Sequence, residues 1–323
     1  MSNNLLELER KTLIFRLIGG LGNQLFIYYA GQYFSHKLNC NVKFIFSPLN
    51  IKHAQYNSRI DAFVLESQIL EISRLKTKFL SIKKKYKAIL SKNFFSHIFY
   101  SFQEIQYFEC EFETQKELIN LDLKLRDFSK SEIHVEGFFQ DFNYFSKLRH
   151  KKELLLAEPS EWFCTMMDEA IRKRPIIVHI RIGDYLVTDS KWGVIDVTYY
   201  AKAIRMAINV YKDKEIWVYS DNFVIARLLL KPLNNSNIIF IESSLTKNPA
   251  EVLQLMTCGV ALITSNSTFS LWSAFLSSDS TMIFYPDPMF KYLPDQIRGV
   301  PRKWINVSSE WLTDEKIKKL KGT

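Results

Sequence analysis

Cysteine is scarce and scattered. The 323 residues hold four, Cys40, Cys110, Cys164 and Cys258, with no Cys-x-x-Cys pair and no histidine nearby at ligand spacing. That argues against a structural zinc and a disulfide framework, and it suits a reducing compartment. No uninterrupted apolar run is long enough to span a bilayer. Met1–Arg10 lacks the basic stretch and apolar core of a signal peptide, so the expectation is a cytoplasmic protein. Neither G-x-G-x-x-G nor a Walker lysine occurs, so neither a dinucleotide fingerprint nor a P-loop is supported. No Asp-x-Asp occurs either; Asp213-Lys-Glu215 comes nearest, and it leads into a strand at the wrong end of a sheet. Acid is missing altogether from Ile72 to Gln103, which carries eight Lys and Arg. Outside that stretch 35 basic residues face 34 acidic ones, so the net charge of +9 is one local patch. No RNP-type or helix-turn-helix signature accompanies it, and nucleic acid is not an expected partner.

What is present is ample apolar material, 47% of the chain, and enough length for two domains. Thr12–Ile18 reads as a strand that enters Gly19-Gly-Leu-Gly-Asn-Gln24, followed by a helix to about His36 and a strand at Val42–Phe46. Helix is expected around 66–92, a strand at His134–Phe139 and a helix at Trp162–Lys173. After Pro175 strands (176–182, 215–220, 238–242, 260–264, 281–285) alternate with helices (197–212, 222–230, 248–258, 268–277). Asp196 and Asn248 stand where helix caps belong. Such alternation means parallel sheets covered on both faces. With no internal repeat or linker, the change of pattern near residue 170 sets the expected boundary, giving domains 1–170 and 171–323.

Ile176-Ile-Val-His-Ile-Arg-Ile-Gly-Asp-Tyr185 organises the rest. A buried strand rarely ends in His179 and Arg181 without a reason, because an unpaired buried guanidinium is costly, and strand carboxyl ends are where ligands bind in open α/β sheets. Asp184 is either Arg181's structural partner or a group with a role of its own. Gly19–Gln24 joins a strand to a helix and aims backbone N–H groups at an anion, with Gly20, Gly22 and Gln24 around it and Asn23 as either the cap or a ligand-facing amide. Ser265, Asn266, Ser267 and Thr268 repeat that logic, offering hydroxyl, amide and backbone donors to phosphate at a second helix start. Asp221 brings one more carboxylate to the same rim.

These segments resemble, in order, the motifs of the α-1,2-fucosyltransferases: Gly19–Phe26, Gly137-Phe-Phe-Gln140 with Tyr144-Phe145, Val178–Tyr185, Val218–Asp221 and Thr264–Ser273. The resemblance covers roughly residues 12–285 and implies GDP-fucose as donor and no metal requirement. It also implies an α/β, GT-B-like fold of two facing Rossmann-like domains with parallel sheets. The first domain would carry the acceptor side and the second would bind the nucleotide sugar. Arg181 falls on the family's essential arginine, which neutralises the leaving diphosphate. His179 and Asn23 fall on cleft-lining residues, Ser267, Thr268 and Phe269 on the segment that cradles the diphosphate, and Phe139 and Gln140 on the Gly-aromatic-aromatic-Gln segment. The chain departs from the family pattern at Ile182, where a second arginine is usual, and at Asn222, where a second acid is usual.

The implied reaction inverts the anomeric carbon through an oxocarbenium-like transition state, with negative charge growing on the diphosphate. Candidate bases for the acceptor hydroxyl are Asp184 and Asp189, then His179. The acceptor would be a galactose-containing oligosaccharide, free or lipid-linked, within bacterial surface-polysaccharide synthesis. Two other readings stay open: a metal-independent transferase using a different nucleotide sugar, and a non-catalytic module binding nucleotide or a lipid surface. Leu75, Phe79, Ile82, Tyr86 and Ile89 recur at helical spacing among the patch lysines, with Phe94, Phe95, Ile98, Phe99 and Tyr100 beyond. Over 74–100 this is either a surface helix packed on its own domain or a peripheral contact with anionic membrane.

Overall fold

The computed structural model describes residues 12–46, 60–63, 65, 69–71, 106–110, 132–146, 154–186, 192–292 and 297–322. The chain divides into two compact units. One comprises Met1–Asn57, Leu65–Gln140 and Tyr144–Arg149; the other comprises Ser58–Val64, Asp141–Asn143 and His150–Thr323. Where the sequence pattern puts the change near residue 170, the contacts put it near 150. The helix at Glu161–Lys173 therefore belongs to the second unit.

The first unit is a five-stranded sheet in the order β3-β2-β1-β5-β4, made of β1 (Thr12–Leu17), β2 (Asn41–Phe46), β3 (Ile69–Glu71), β4 (Gln106–Cys110) and β5 (Glu132–Gly137). Every pairing is parallel. Helix α1 (Leu21–Leu38) buries residues all round rather than one stripe, as a helix enclosed by its domain must. Phe15 is the centre of an aromatic core, its ring 6.4 Å from Phe34, 6.0 Å from Phe44 and 5.6 Å from Phe139. Gly31 lets α1 approach: a Cβ there would come within 2.6 Å of the Phe44 ring. Of the helix expected around 66–92, the described residues are 69–71, and they are β3, a strand paired with β2. The basic stretch 74–100 otherwise lies outside the described residues, as does Asp189.

The second unit is a six-stranded parallel sheet in the order β11-β10-β9-β6-β7-β8. Its strands are β6 (Ile176–Ile180), β7 (Ile216–Ser220), β8 (Ile238–Phe240), β9 (Ala261–Ile263), β10 (Met282–Asp287) and β11 (Ile305–Ser308). Its helices are α2 (Glu161–Lys173), α3 (Val197–Val210), α4 (Phe223–Leu230), α5 (Pro249–Leu255), α6 (Thr268–Leu276) and α7 (Asp314–Lys321). Every residue of β6 and β7 is buried, as in a sheet covered on both faces. Asp196 and Asn248 cap α3 and α5 as their positions predict, accepting from Thr198 N (3.2 Å) and Ala250 N (3.0 Å). Ser160 caps α2 and is itself gripped by the buried Glu251 carboxylate, from its N–H (2.7 Å) and its hydroxyl (2.9 Å). The regular pattern in the sequence ends at 285, but β11 and α7 continue the fold. They escape a reading by periodicity because β11 is four residues long and α7 is mostly charged.

Both units are Rossmann-like parallel α/β sheets, so the fold class is α/β and GT-B-like. The second sheet starts at β6 and winds outward in both directions; in the first, β1 to β3 wind outward to one side, but on the other side β4 takes the edge and β5 inserts beside β1. The winding of the second sheet reverses between β6 and β9. Such a reversal opens a crevice at the strand carboxyl ends.

Candidate functional site

In the second unit the crevice is walled by the chain leaving β6 and the chain leaving β9. Alternation along β6 sends Ile176, Val178, Ile180 and Ile182 into one hydrophobic core and leaves His179 and Arg181 on the other side. Arg181 is held by two carboxylates. Its Nη2 donates to Asp184 Oδ1 at 2.6 Å, and its Nη1 pairs with Asp221 Oδ2 across 3.0 Å. Asp221 also accepts the Ile182 N–H through Oδ1 at 2.9 Å, which ties the end of β7 to the end of β6. The Tyr185 ring packs 5.4 Å from the guanidinium carbon. Burial works against Arg181's charge, but Asp221 and Asp184 outweigh it and raise its pKa above the ordinary guanidinium value. The result is a fixed cation with N–H groups to spare: a guanidinium carries five, and of these two contacts the one to Asp184 is a hydrogen bond.

His179 is 6% exposed, its Nδ1 lies 2.8 Å from Ser265 Oγ, and its ring packs 5.6 Å from Phe269. Burial, then the Arg181 cation, lowers its pKa to about 3, so at neutral pH the ring carries no charge. Ser265 belongs to the turn between β9 and α6, which is pinned from below. Tyr199 donates its hydroxyl to Thr264 O (2.7 Å), Thr264 donates its N–H to Phe284 O (2.9 Å), and Ser267 Oγ caps α6 from Phe269 N (3.3 Å).

Four of the residues expected at this rim, His179, Arg181, Asp184 and Asp221, are thus joined with Ser265 into one cluster. Asp184, left open between two roles, is Arg181's ion-pair partner. Asn266 differs from its expected role as a ligand-facing amide. Its Nδ2 donates to Trp192 O (3.0 Å) and Gly193 O (2.9 Å), so its amide N–H groups tether a neighbouring loop, and its Oδ1 is without a hydrogen-bond partner among the described residues. Tyr185, which the sequence reading does not single out as a site residue, closes a ring with that loop: it stacks on Trp192 (6.2 Å, 22°) and donates to Asn266 O (3.4 Å). The two departures from the family pattern have local causes. Ile182 is fully buried in the core, where an arginine would lose its water, and Asn222 caps α4 by accepting from Ile225 N at 3.1 Å.

In the first unit the corresponding rim is formed at the ends of the neighbouring strands β1 and β5. Gly19 takes φ +73°, and a Cβ there would sit 2.6 Å from Asn23 Nδ2, so both conformation and space require glycine. The cap of α1 is Gly20 and supplies no side-chain hydrogen bond; Asn23 is therefore not the cap but a first-turn residue. Its Oδ1 accepts from Gln140 Nε2 at 3.1 Å, while Gln140 Oε1 is buried without a hydrogen-bond partner among the described residues. Gln24, Phe139 and Gly22 are buried. Gln24 Nε2 donates to Gly19 O at 2.9 Å and so holds the turn from inside. Phe139, at φ +50°, gives its ring to Phe15. Of the residues expected to bind here, Asn23 and Gln140 come together at the rim, whereas Gln24 and Phe139 serve the scaffold.

Among the described residues no group of three or more His, Cys, Asp or Glu is placed to hold a metal ion, and no helix is long and apolar enough to cross a membrane.

A strand-end arginine clamped by carboxylates beside a serine-rich helix start suits the phosphates of an activated sugar, and the comparisons agree on a sugar-transferring class. The model of glycosyl transferase family 11 matches residues 9–291, and the chain belongs to that fucosyltransferase family. It is 23% identical over 305 residues to the alpha-1,2-colitosyltransferase of Escherichia coli, covering 91% of this chain and 98% of that protein. It is 32% identical over 131 residues, 40% of this chain and 38% of the other, to the O-antigen biosynthesis glycosyltransferase WbnK of Escherichia coli. Among solved structures, an Arabidopsis thaliana FUT1 mutant in complex with GDP superimposes with a TM-score of 0.50 at 12% identity, over 87% of this chain and 73% of that one. That likeness concerns the fold.

Proposed function

We propose that this glycosyltransferase moves L-fucose from GDP-β-L-fucose, with inversion, to the 2-hydroxyl of a galactose-terminated acceptor in O-antigen synthesis. The observation that carries this reading is Arg181, fixed at the reversal of the second sheet beside a neutral His179 and the start of α6. In the transfer the bond from the sugar's C1 to the diphosphate oxygen breaks as the acceptor oxygen bonds to C1 from the opposite face and gives up its hydroxyl proton to water. The electron pair leaves with GDP, and Arg181 offsets the charge that grows there, with the first N–H groups of α6 alongside. Positive charge from a side chain takes the place of a divalent ion, so the reaction is assigned no metal requirement. The second unit takes the donor. The first, whose rim offers the neutral amides of Asn23 and Gln140, takes the acceptor.

The colitosyltransferase relative favours one second reading, transfer of colitose, the 3-deoxy counterpart of fucose, to the same kind of hydroxyl. A panel of nucleotide sugars with a β-galactoside acceptor, with and without EDTA, separates the possibilities. Turnover of GDP-fucose that survives EDTA is expected. Preference for GDP-colitose moves the assignment to the second reading, and loss with EDTA restored by Mn²⁺ or Mg²⁺ overturns the metal assignment. Binding of GDP without turnover of any sugar leaves a nucleotide-binding module.

A further inference from the structure

Behind His179 lies a short chain of hydroxyls whose protons can be placed one after another. Ser270 Oγ accepts the Ser265 N–H at 3.2 Å and lies 3.1 Å from Ser267 O and 3.4 Å from Ser265 O. A carbonyl only accepts, so Ser270's single hydroxyl proton is donated there. The Ser265 hydroxyl then has two acceptors within reach, Ser270 Oγ at 3.4 Å and His179 Nδ1 at 2.8 Å. Hydroxyl hydrogen bonds are strongest near 2.7–2.8 Å and weak by 3.4 Å, so this proton points at Nδ1. Ser265 and Ser270 are fully buried and His179 nearly so, which holds all three in one arrangement. A neutral imidazole that accepts at Nδ1 carries its proton on Nε2. Among the described residues the side-chain contacts of His179 are the Nδ1–Ser265 bond and the Phe269 ring, and neither uses Nε2.

We infer that Ser265, oriented by Ser270, fixes His179 as its Nε2–H tautomer, so that His179 donates a hydrogen bond to an acceptor atom of the donor nucleotide and does not act as the general base. Ser265 is then a positioning residue, not a phosphate ligand. The inference rests on the donor-site reading above. It also gives the hydroxyls of this turn a use that a phosphate cradle alone does not require: they choose which face of the imidazole is a donor.

The test has two arms. In the first, the full chain labelled with ¹⁵N-histidine is studied by two-dimensional NMR at pH 7, with the signal assigned by its loss in His179→Gln. A protonated Nε2 and an unprotonated Nδ1 are expected, with the pattern shifting toward a tautomer mixture in Ser265→Ala. A proton on Nδ1 in the wild type overturns the inference. In the second, GDP binding is titrated calorimetrically. Glutamine places an amide N–H near the Nε2 position, so His179→Gln is expected to bind within a few-fold of wild type, and His179→Phe about tenfold more weakly, the worth of one hydrogen bond. Binding by the Phe variant equal to wild type overturns the donor role. Both arms run without acceptor or turnover. Failure of the fucosyl assignment therefore shows in the sugar panel, and failure of this inference shows here.

Discussion

In each sheet a side-chain hydrogen bond joins two elements at the strand ends. In the first unit Gln140 Nε2 reaches Asn23 Oδ1 at 3.1 Å; in the second His179 Nδ1 meets Ser265 Oγ at 2.8 Å. The helices that follow start in opposite ways. Helix α1 begins at Gly20 with no side-chain cap, while α6 begins at Ser267, whose hydroxyl takes the Phe269 N–H. The first rim keeps its backbone N–H groups for something else and offers neutral amides. The second spends its hydroxyls on itself and on His179, and takes its charge from Arg181. Neutral amides suit the hydroxyls of a sugar, and a clamped guanidinium suits a diphosphate. Two parallel sheets thus present two rims with different chemistry, because the side chains at their strand ends differ.

The widest separation between the two rims is expected in turnover. Arg181→Lys keeps a charge but loses the fork that Asp221 and Asp184 hold, so kcat should fall about 10²–10³-fold with folding intact. Gln140→Leu removes one neutral bridge and should cost nearer tenfold, mostly in KM for the acceptor. Steady-state kinetics on both variants checks this, and equal losses would erase the distinction between a charged and a neutral rim.

A smaller effect belongs to the second rim alone. His179 has a folded pKa of about 3 against an ordinary 6.5, so between those values the unfolded chain binds a proton that the folded chain refuses. Its contribution to stability is therefore complete above about pH 6.5 and is lost as pH falls toward 3, with a slope of up to about 1.4 kcal/mol per pH unit. Denaturant unfolding of wild type and His179→Gln from pH 7 to pH 4 should show the steeper decline in the wild type. Parallel declines would mean that His179 titrates normally.

The smallest effect is a swap of capping style. Gly20 has φ −71° and nothing within 4 Å of an added Cβ, so Gly20→Ser fits and gives α1 the kind of cap that Ser267 gives α6. Stability should rise by a few tenths of a kcal/mol. If the uncapped N–H groups serve a ligand, KM for acceptor or donor should rise a few-fold at the same time, and which of the two rises shows what this rim holds. A gain in stability with both constants unchanged would reduce the difference between the two turns to architecture.

The sequence by itself determined the second sheet and the positions of its charges. Strands such as Ile176–Ile180, apolar but for His179 and followed by helical periods, have few other folds open to them, and His179 and Arg181 at the end of such a strand mark the rim because a buried charge demands a partner. The caps at Asp196 and Asn248 are legible for a similar reason, since capping involves residues two apart. What the tertiary structure alone decided is where each polar side chain spends its hydrogen bonds. Asn266 reads as a ligand amide until the Trp192–Gly193 loop, more than seventy residues earlier, takes both its protons. Gln24 reads as a rim residue until its amide turns inward to Gly19, and Asp184 holds two possible roles until Arg181 lies 2.6 Å away. Periodicity reports which face of an element is buried, but a hydrogen bond is satisfied by whatever the fold brings within about 3 Å, and sequence spacing does not carry that distance.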